Sequence, residues 1–230
     1  MLSSLSAFFP CYNEEENLQK LVDSSCTFLP TIAKKYEIIV VDDGSQDNTQ
    51  TVIADLQKEC QELRLVSHAQ NAGYGAALKT GIHSAKMDWV FWMDGDLQFN
   101  IESLETFLPY AEKYDAIIGF RAHRADTFLR KVNGELYTRL INFLFGTDVL
   151  DIDCAFKLIR RECLEKISID TSSAFTSAEI LIKLKRSGVK IKQVSVPHFK
   201  RQFGNPTGGS LRVIFKGLKE TLTFFIQHRV

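Results

Sequence analysis

The sequence predicts an α/β protein with a doubly wound, mostly parallel sheet flanked by helices, and three observations carry that prediction. Short apolar runs alternate with helix-like stretches as far as Phe120. One run, Trp89-Val-Phe-Trp-Met93, shows no polar alternation, the pattern of a strand buried on both faces. Each run ends in a polar cluster, placing chemistry-bearing residues at strand tips, where open α/β sheets bind their ligands.

In chain order, Leu5–Phe9, Glu37–Val41, Leu63–Ser67, Trp89–Met93 and Asp115–Phe120 read as strands. Asn13 is the expected N-cap of a helix starting at Glu14, whose run Glu14-Glu15-Glu16 suits the positive end of the helix dipole. Asp47 or Asn48 can start the next helix. Strands separated by helices imply parallel crossovers. Beyond Phe120 the regular alternation breaks down. Asp151–Lys157 alternates like a strand, Thr176–Ser187 reads as a helix containing Glu179, and Val189–Val196 as another strand, which would make the sheet mixed. The expected organisation is one domain over 1–210 followed by an amphipathic basic helix over 211–230.

Composition sets the class. With 230 residues, 45% hydrophobic and 24% charged, the chain can bury a substantial core and has a soluble globular balance. Charge is unevenly spread: net charge is zero, yet 11 of the 28 basic residues and only Glu220 among the acidic ones lie from Lys183 onward. A basic C-terminal part suits an anionic partner or a solvated face. The five cysteines, Cys11, Cys26, Cys60, Cys154 and Cys163, are odd in number and lack Cys-x-x-Cys spacing, the usage of a reduced cytoplasmic chain. No apolar run approaches the ~20 residues that span a bilayer, and the N-terminus lacks a signal pattern, so the chain is expected neither to span nor to be secreted.

The strand tips hold the candidate site. Asp94, Asp96 and Gln98 stand two apart after the buried run; if the backbone stays extended, their oxygens project to one side, with Gly95 leaving room for a ligand. Two carboxylates and an amide oxygen suit Mg2+ or Mn2+ bridging nucleotide phosphates, although an isolated Asp-x-Asp also occurs in surface loops. Tyr12 can stack on a base and Asp43 can accept from a base or ribose, or both can serve local turns. Gly73-Tyr74-Gly75 fails the dinucleotide fingerprint, because Leu78 stands where the third glycine belongs. No Walker lysine motif, Ser-His-Asp order or zinc spacing occurs, and His68, His83, His123, His198 and His228 are isolated. Arg121, Arg124, Arg130, Lys131 and Arg139 form a basic cluster, of which Arg121 directly follows a strand and is the phosphate-contact candidate. A basic, glycine-rich loop runs from His198 to Ser210. In the final helix Leu211, Ile214, Phe215, Leu218, Leu222, Phe225 and Ile226 recur at helical spacing beside Arg212, Lys216 and Lys219. It either packs back onto the domain or meets an anionic membrane surface or a membrane subunit.

Together, Pro10-x-Tyr12-Asn13-Glu14, Val40-Val41-Asp42-Asp43-Gly44-Ser45, Asn71-x-Gly73 and Asp94-Gly95-Asp96-Leu97-Gln98 resemble glycosyltransferase family 2, with its GT-A fold. Gly119-Phe-Arg121, Asp153-Cys-Ala155-Phe156-Lys157, Glu179 with Gly188, and Arg201-x-x-Gly204 are most similar to the dolichol-phosphate mannose synthase group and bacterial polyprenyl-phosphate glycosyltransferases. The resemblance implies an inverting, metal-dependent enzyme that moves a hexose from GDP-mannose or a UDP-hexose to a polyprenyl phosphate. Pro10, Tyr12, Glu14, Val41 and Asp43 would hold the nucleoside; Asp94, Gly95, Asp96 and Gln98 the metal-bound diphosphate; Arg121 and Arg201 the phosphates during catalysis. It implies a cytoplasmic enzyme, peripheral on the membrane, with no nucleic-acid partner. Two positions depart from the group: Thr207 replaces a usual lysine and Ala155 a usual glycine. Members that act on hydroxyls carry a Glu-Asp pair whose second member is the general base; here Thr176 and Ser177 stand there, so the nucleophile is expected to be already anionic, unless Asp151 or Asp153 is a displaced base. A hydroxyl-acceptor enzyme and a non-catalytic partner of the same fold are the alternatives.

Overall fold

The computed structural model describes residues 1–204 and 211–227, with 211–215 described by backbone alone. The chain runs β1 (Leu5–Cys11), α1 (Glu15–Ile32), β2 (Tyr36–Asp42), α2 (Thr49–Leu56), β3 (Leu63–Ser67), α3 (Tyr74–Ser84) and β4 (Trp89–Trp92). A 3₁₀ segment (Ile101–Tyr110) leads to β5 (Ala116–Phe120), α4 (Phe128–Phe145), β6 (Lys157–Arg160), α5 (Arg161–Glu165), α6 (Thr176–Arg186), β7 (Ile191–Ser195) and α7 (Leu211–Gln227). The sheet order is β3-β2-β1-β4-β6-β5-β7. β1 pairs parallel with β2 and β4, and β2 with β3. β6 runs antiparallel between β4 and β5, and β7 returns parallel to β5, giving the mixed sheet expected.

Burial explains why the inner strands read as unbroken apolar runs. Side chains of β1 alternate between two cores: Leu5, Ala7, Phe9 and Cys11 face one, Phe8 the other. The first core is closed by α1, α2 and the 3₁₀ segment, the second by helices α3 to α7. Helix α3 lies hard against β1 because Gly81 has no side chain; a Cβ there would sit 2.2 Å from the Phe8 ring.

Four expectations are corrected. Asn13 is not a helix cap: it adopts a left-handed φ of 57°, α1 begins at Glu15, and the Asn13 side chain accepts from Gln46 N–H at 2.8 Å, joining the β1 and β2 tips. Asp151–Phe156 forms no strand; β6 starts at Lys157, because the alternation there reflects a turn that buries every residue but Asp153. The thiols are not all reduced: Cys26 on α1 and Cys60 beyond α2 form a disulfide, two residues that only the packing of α1 on α2 brings together. The chain from Asp94 to Gln98 is not extended, as shown below. Among the described residues no helix is long and apolar enough to cross a membrane. The loop residues 205–210, including Thr207, the boundary at Ser210, the side chains of Leu211, Arg212, Ile214 and Phe215, and His228 lie outside the described residues.

The final helix packs back. Phe224 is buried beside Phe145 and Phe175, Thr221 is buried against Tyr137, and Glu220 accepts from the Ser173 hydroxyl. Its other side leaves Leu222 and Ile226 exposed.

Candidate functional site

The site lies where the tips of β1, β2, β4 and β5 converge with the segments after β3 and β7. Its base is sewn together by local hydrogen bonds. Asn13 N–H donates to Ser45 Oγ at 2.8 Å, and Asp42, fully buried, accepts from Ser45 N–H at 2.9 Å and Gln50 Nε2 at 2.6 Å. Asp43 binds the loop after β3: it accepts from Ala72 N–H at 2.9 Å and Gly73 N–H at 2.8 Å, and it meets His68 Nδ1 at 2.6 Å. His68 also reaches Thr80 Oγ1 at 2.8 Å, so it is not isolated; it props the Asp43 carboxylate. Tyr12 stays half-exposed at the rim. Pro10 and Val41 have enclosed side chains, Val41 within the second core, and Pro10 offers its carbonyl to Gly95 N–H at 3.3 Å. Any contact these two make with a nucleoside would run through backbone.

After β4 the chain turns. Leu97 has φ 58°, and Asp96 Oδ1 accepts from Gln98 N–H at 3.1 Å, a local turn that swings the segment round instead of letting it run straight. Gly95 serves packing: a Cβ on it would sit 2.4 Å from Cys11 Sγ, so crowding by β1 is by itself a reason for a residue without a side chain here. Asp94 Oδ1 is buried without any hydrogen-bond partner. Burial, followed by the nearby Asp96 charge, pushes the Asp94 carboxyl up to about 7, and a hydrogen bond with Tyr74 opposes the shift. Burial raises Asp96 as well, held back by Gln98 N–H and Arg201. A buried, unpartnered carboxylate oxygen two residues from a second buried carboxylate is a pair of hard oxygen donors with unmet electrostatic demand. Mg2+ or Mn2+ fits it on charge and hard-oxygen chemistry. Gln98 donates its amide N–H to Phe199 O at 3.1 Å, leaving its amide oxygen as the remaining candidate ligand. Among the described residues no third His, Cys, Asp or Glu completes a cage, so phosphates and water would fill the other positions.

Arg201 spans this turn. Nη1 donates to Asp96 Oδ2 at 3.3 Å, Nη2 to Glu14 Oε1, and Nε to Phe203 O at 2.6 Å. Burial raises the Glu14 carboxyl, and Arg201 partly offsets it. On the far side Arg121 makes a fork with Asp151: Nε to Oδ2 at 2.7 Å and Nη2 to Oδ1 at 2.8 Å. Burial alone would raise Asp151, but Arg121 holds it below the usual carboxylate range. A carboxylate so engaged makes a poor general base, which removes one of the two displaced-base candidates; Asp153, the other, is exposed. Asp126 gathers the remaining arginines, Arg124 at 2.9 Å and Arg130 at 3.3 Å, and lies 3.9 Å from Arg121. Lys131 and Arg139 are exposed and outside this group.

Sequence reasoning missed several supporting roles. Lys157 is buried and donates to Cys154 O and to Ser177 Oγ at 3.2 Å, holding the 151–156 turn from below. Ser177 donates onward to Ile152 O, and Thr176 is fully buried, so both positions are structural hydroxyls. Glu179 accepts from Asp170 and Thr171 N–H and pairs with Lys183 at 2.7 Å, a strut and not a site residue. Tyr74 touches Asp94, and His198 accepts from Ala125 N–H at 3.1 Å, while Asp126 organises the arginines. The Asn71-Ala-Gly-Tyr74 stretch did flag Tyr74's loop; nothing local distinguishes Lys157 or Asp126 from ordinary charges.

The fold recurs in the Mycobacterium tuberculosis glucosyl-3-phosphoglycerate synthase. Its complex with Mn2+, UDP and glucosyl-3-phosphoglycerate superposes with a TM-score of 0.74 at 20% identity, covering 96% of this chain and 79% of that one. Its complex with Mn2+, UDP and phosphoglyceric acid gives 0.76 at 21%, covering 97% and 78%. In sequence, the chain is 28% identical over 217 residues to the undecaprenyl-phosphate 4-deoxy-4-formamido-L-arabinose transferase of Yersinia enterocolitica, covering 93% of this chain and 65% of that protein. It therefore spans less than two-thirds of the length of that relative. The model of the glycosyl transferase family 2 matches residues 6–168, and with the GT-A sheet and the paired carboxylates at the β4 tip in place, the chain belongs to that family.

Proposed function

We propose that the protein is an inverting glycosyltransferase that moves a hexosyl group from a nucleoside diphosphate sugar to a polyprenyl phosphate, with Mg2+ or Mn2+ at Asp94, Asp96 and Gln98. The observation that carries the metal and donor reading is the unpartnered, buried Oδ1 of Asp94 beside Asp96 at the end of β4. A divalent ion bound there supplies charge neutralisation at the departing diphosphate.

The chain's own residues do the rest. Tyr12, with the Asp43-held 71–73 loop and Glu14, lines the nucleoside side; Arg201, on the segment after β7, moves from its carboxylates onto donor phosphate; Arg121, fixed by Asp151, presents positive charge to the acceptor. The acceptor reading is supported by the absence of a base: the two positions that would carry one are the buried Thr176 and Ser177. A phosphate monoester is already anionic and needs positioning and charge neutralisation, not deprotonation. The activity for which the Yersinia relative is named, transfer to undecaprenyl phosphate, agrees with it.

The test is a transfer panel with UDP- and GDP-sugars, Mn2+, and either a short-chain polyprenyl phosphate or simple glycans. Product on the lipid phosphate supports the reading; product only on glycans turns it to the hydroxyl-acceptor alternative, and no turnover with any donor turns it to a non-catalytic partner.

A further inference from the structure

The turn that leads into β6 buries all its residues but one. Ile152 and Cys154 are fully enclosed on either side, and Asp153 between them turns outward. The turn is held firmly. Arg121 forks Asp151, Ile152 N–H donates to Thr138 Oγ1 at 3.3 Å, Cys154 N–H donates to Asp151 O at 3.3 Å, and Lys157 grips Cys154 O from below. Asp153 itself makes no hydrogen bond and no ion pair among the described residues. Burial nevertheless raises its carboxyl, against the opposing charge of Arg121. A group that solvent reaches and protein still surrounds stands on the wall of a cleft.

Sheet order says which cleft. β6 lies between β4 and β5, with Lys157 opposite both Trp92 and Ile118. The turn before Lys157 therefore sits between the β4 tip, which carries Asp94 and Asp96, and the β5 tip, which carries Arg121. Gly119 N–H donates to Phe156 O at 2.7 Å and ties the turn to β5. The Asp153 charge reaches both Tyr74, the partner of Asp94, and Arg121. Under the proposed function, which this inference rests on, those tips hold the donor diphosphate and the acceptor phosphate. In-line transfer puts the hexosyl ring between them, over Asp153.

We infer that Asp153 reads the transferred sugar: its carboxylate accepts hydrogen bonds from ring hydroxyls of the donor's hexosyl group, so the enzyme takes a neutral hexose and turns away uronosyl donors. Chemistry selects that occupant. Neighbouring ring hydroxyls offer two donors that one carboxylate takes together, and hydrogen bonds to an ionised acceptor are the stronger kind. Phosphate is repelled by Asp153 and drawn to the arginines or the metal, which keeps both phosphates at their own ends. A uronosyl carboxylate meets like charge.

The experiment is calorimetry with Mn2+ and UDP, UDP-glucose and UDP-glucuronate, and with GDP, GDP-mannose and GDP-mannuronate. The wild type binds the neutral sugar nucleotide about tenfold tighter than the bare nucleotide, and the uronosyl one no tighter. D153A melts with the wild type and binds the bare nucleotide equally well, but loses the tenfold gain. D153N, which keeps one acceptor oxygen, recovers part of it and admits the uronosyl donor. A wild type that gains nothing from the sugar, or a D153A that keeps the gain, overturns the inference. So does a D153A that loses bare nucleotide to the same extent, which puts the contact on the diphosphate. A D153A that binds donor normally while its transfer rate falls and loses its pH dependence also overturns it, and makes the residue a base. Wild-type protein that binds neither nucleotides nor sugar nucleotides overturns the functional reading, and the inference falls with it.

Discussion

Arg201 donates to Asp96 across 3.3 Å although 105 residues separate them, and the same guanidinium holds Glu14. The arginine thus places a positive charge on one of the two carboxylates proposed to hold a divalent ion, where the two cations would compete. R201M is expected to bind Mn2+ more tightly than the wild type in the absence of donor, measured by calorimetry, while transferring roughly a hundredfold more slowly, because the phosphate contact is lost. Looser Mn2+ binding by R201M would show that Arg201 supports the metal instead of standing in for it.

Asp94 is the opposite case: its Oδ1 is buried without a hydrogen-bond partner, and burial and the Asp96 charge outweigh Tyr74, Arg121 and Lys157. Replacing it with Asn removes the repulsion with Asp96 and the cost of a buried charge. D94N should melt higher than the metal-free wild type and show no further rise with millimolar Mn2+, whereas the wild type gains several degrees, since an ion that binds only the folded state stabilises it by mass action. An unchanged Mn2+ response in D94N would move the metal elsewhere.

The Arg121–Asp151 fork is almost fully enclosed, each side chain about 9% exposed. Removing one partner leaves the other charge buried and unpaired, so D151A should lose about 3 kcal/mol in urea unfolding. The double variant R121M/D151L should recover much of that stability yet remain inactive in transfer, which separates the structural part of the pair from its phosphate contact.

The sheet was largely legible in the sequence: a strand buried on both faces leaves no polar positions, as at Trp89 to Trp92, and the edge strand Leu63 to Ser67 stands where the alternation of apolar runs and helices put it. The site was legible as strand tips but not as contacts. Asp43 looked free because its partners, His68 and the 72–73 amides, lie 25 to 30 residues on. Arg121 looked free because Asp151 is 30 residues away. Gly95 suggested a ligand and Asp151–Phe156 a strand because crowding by Cys11 and support from Lys157 are tertiary facts. The disulfide failed for the same reason, with 34 residues between its halves.

His198 sets a pH dependence. Burial, and after it the charge of Arg121, depress its imidazole to about 4 from an ordinary 6.5. The unfolded chain therefore takes up a proton as pH falls below 6.5 while the folded one does not until about 4. Stability from this group is fully present above 6.5 and is lost as pH falls through that window, by about 2 to 3 kcal/mol in all. H198Q, whose amide oxygen can still accept from Ala125 N–H, should flatten the slope of unfolding free energy between pH 6.5 and 4, read by urea titration at each pH.

The reason given for Gly95 is open to a direct test. A Cβ at position 95 would meet Cys11 Sγ at 2.4 Å and Pro10 O at 3.4 Å, inside a core with no slack, so G95A should cost roughly 1 to 3 kcal/mol from overpacking. Removing the sulfur makes the room: C11A/G95A should regain most of that loss relative to C11A alone, a coupling that only direct contact produces. If the glycine were small for a donor's sake, the outcome would be different. G95A would fold with wild-type stability, its Mn2+–UDP affinity would fall, and C11A would restore nothing. Unfolding curves of the four proteins in the cycle, with Mn2+–UDP binding measured on each, separate crowding by β1 from contact with ligand at this position.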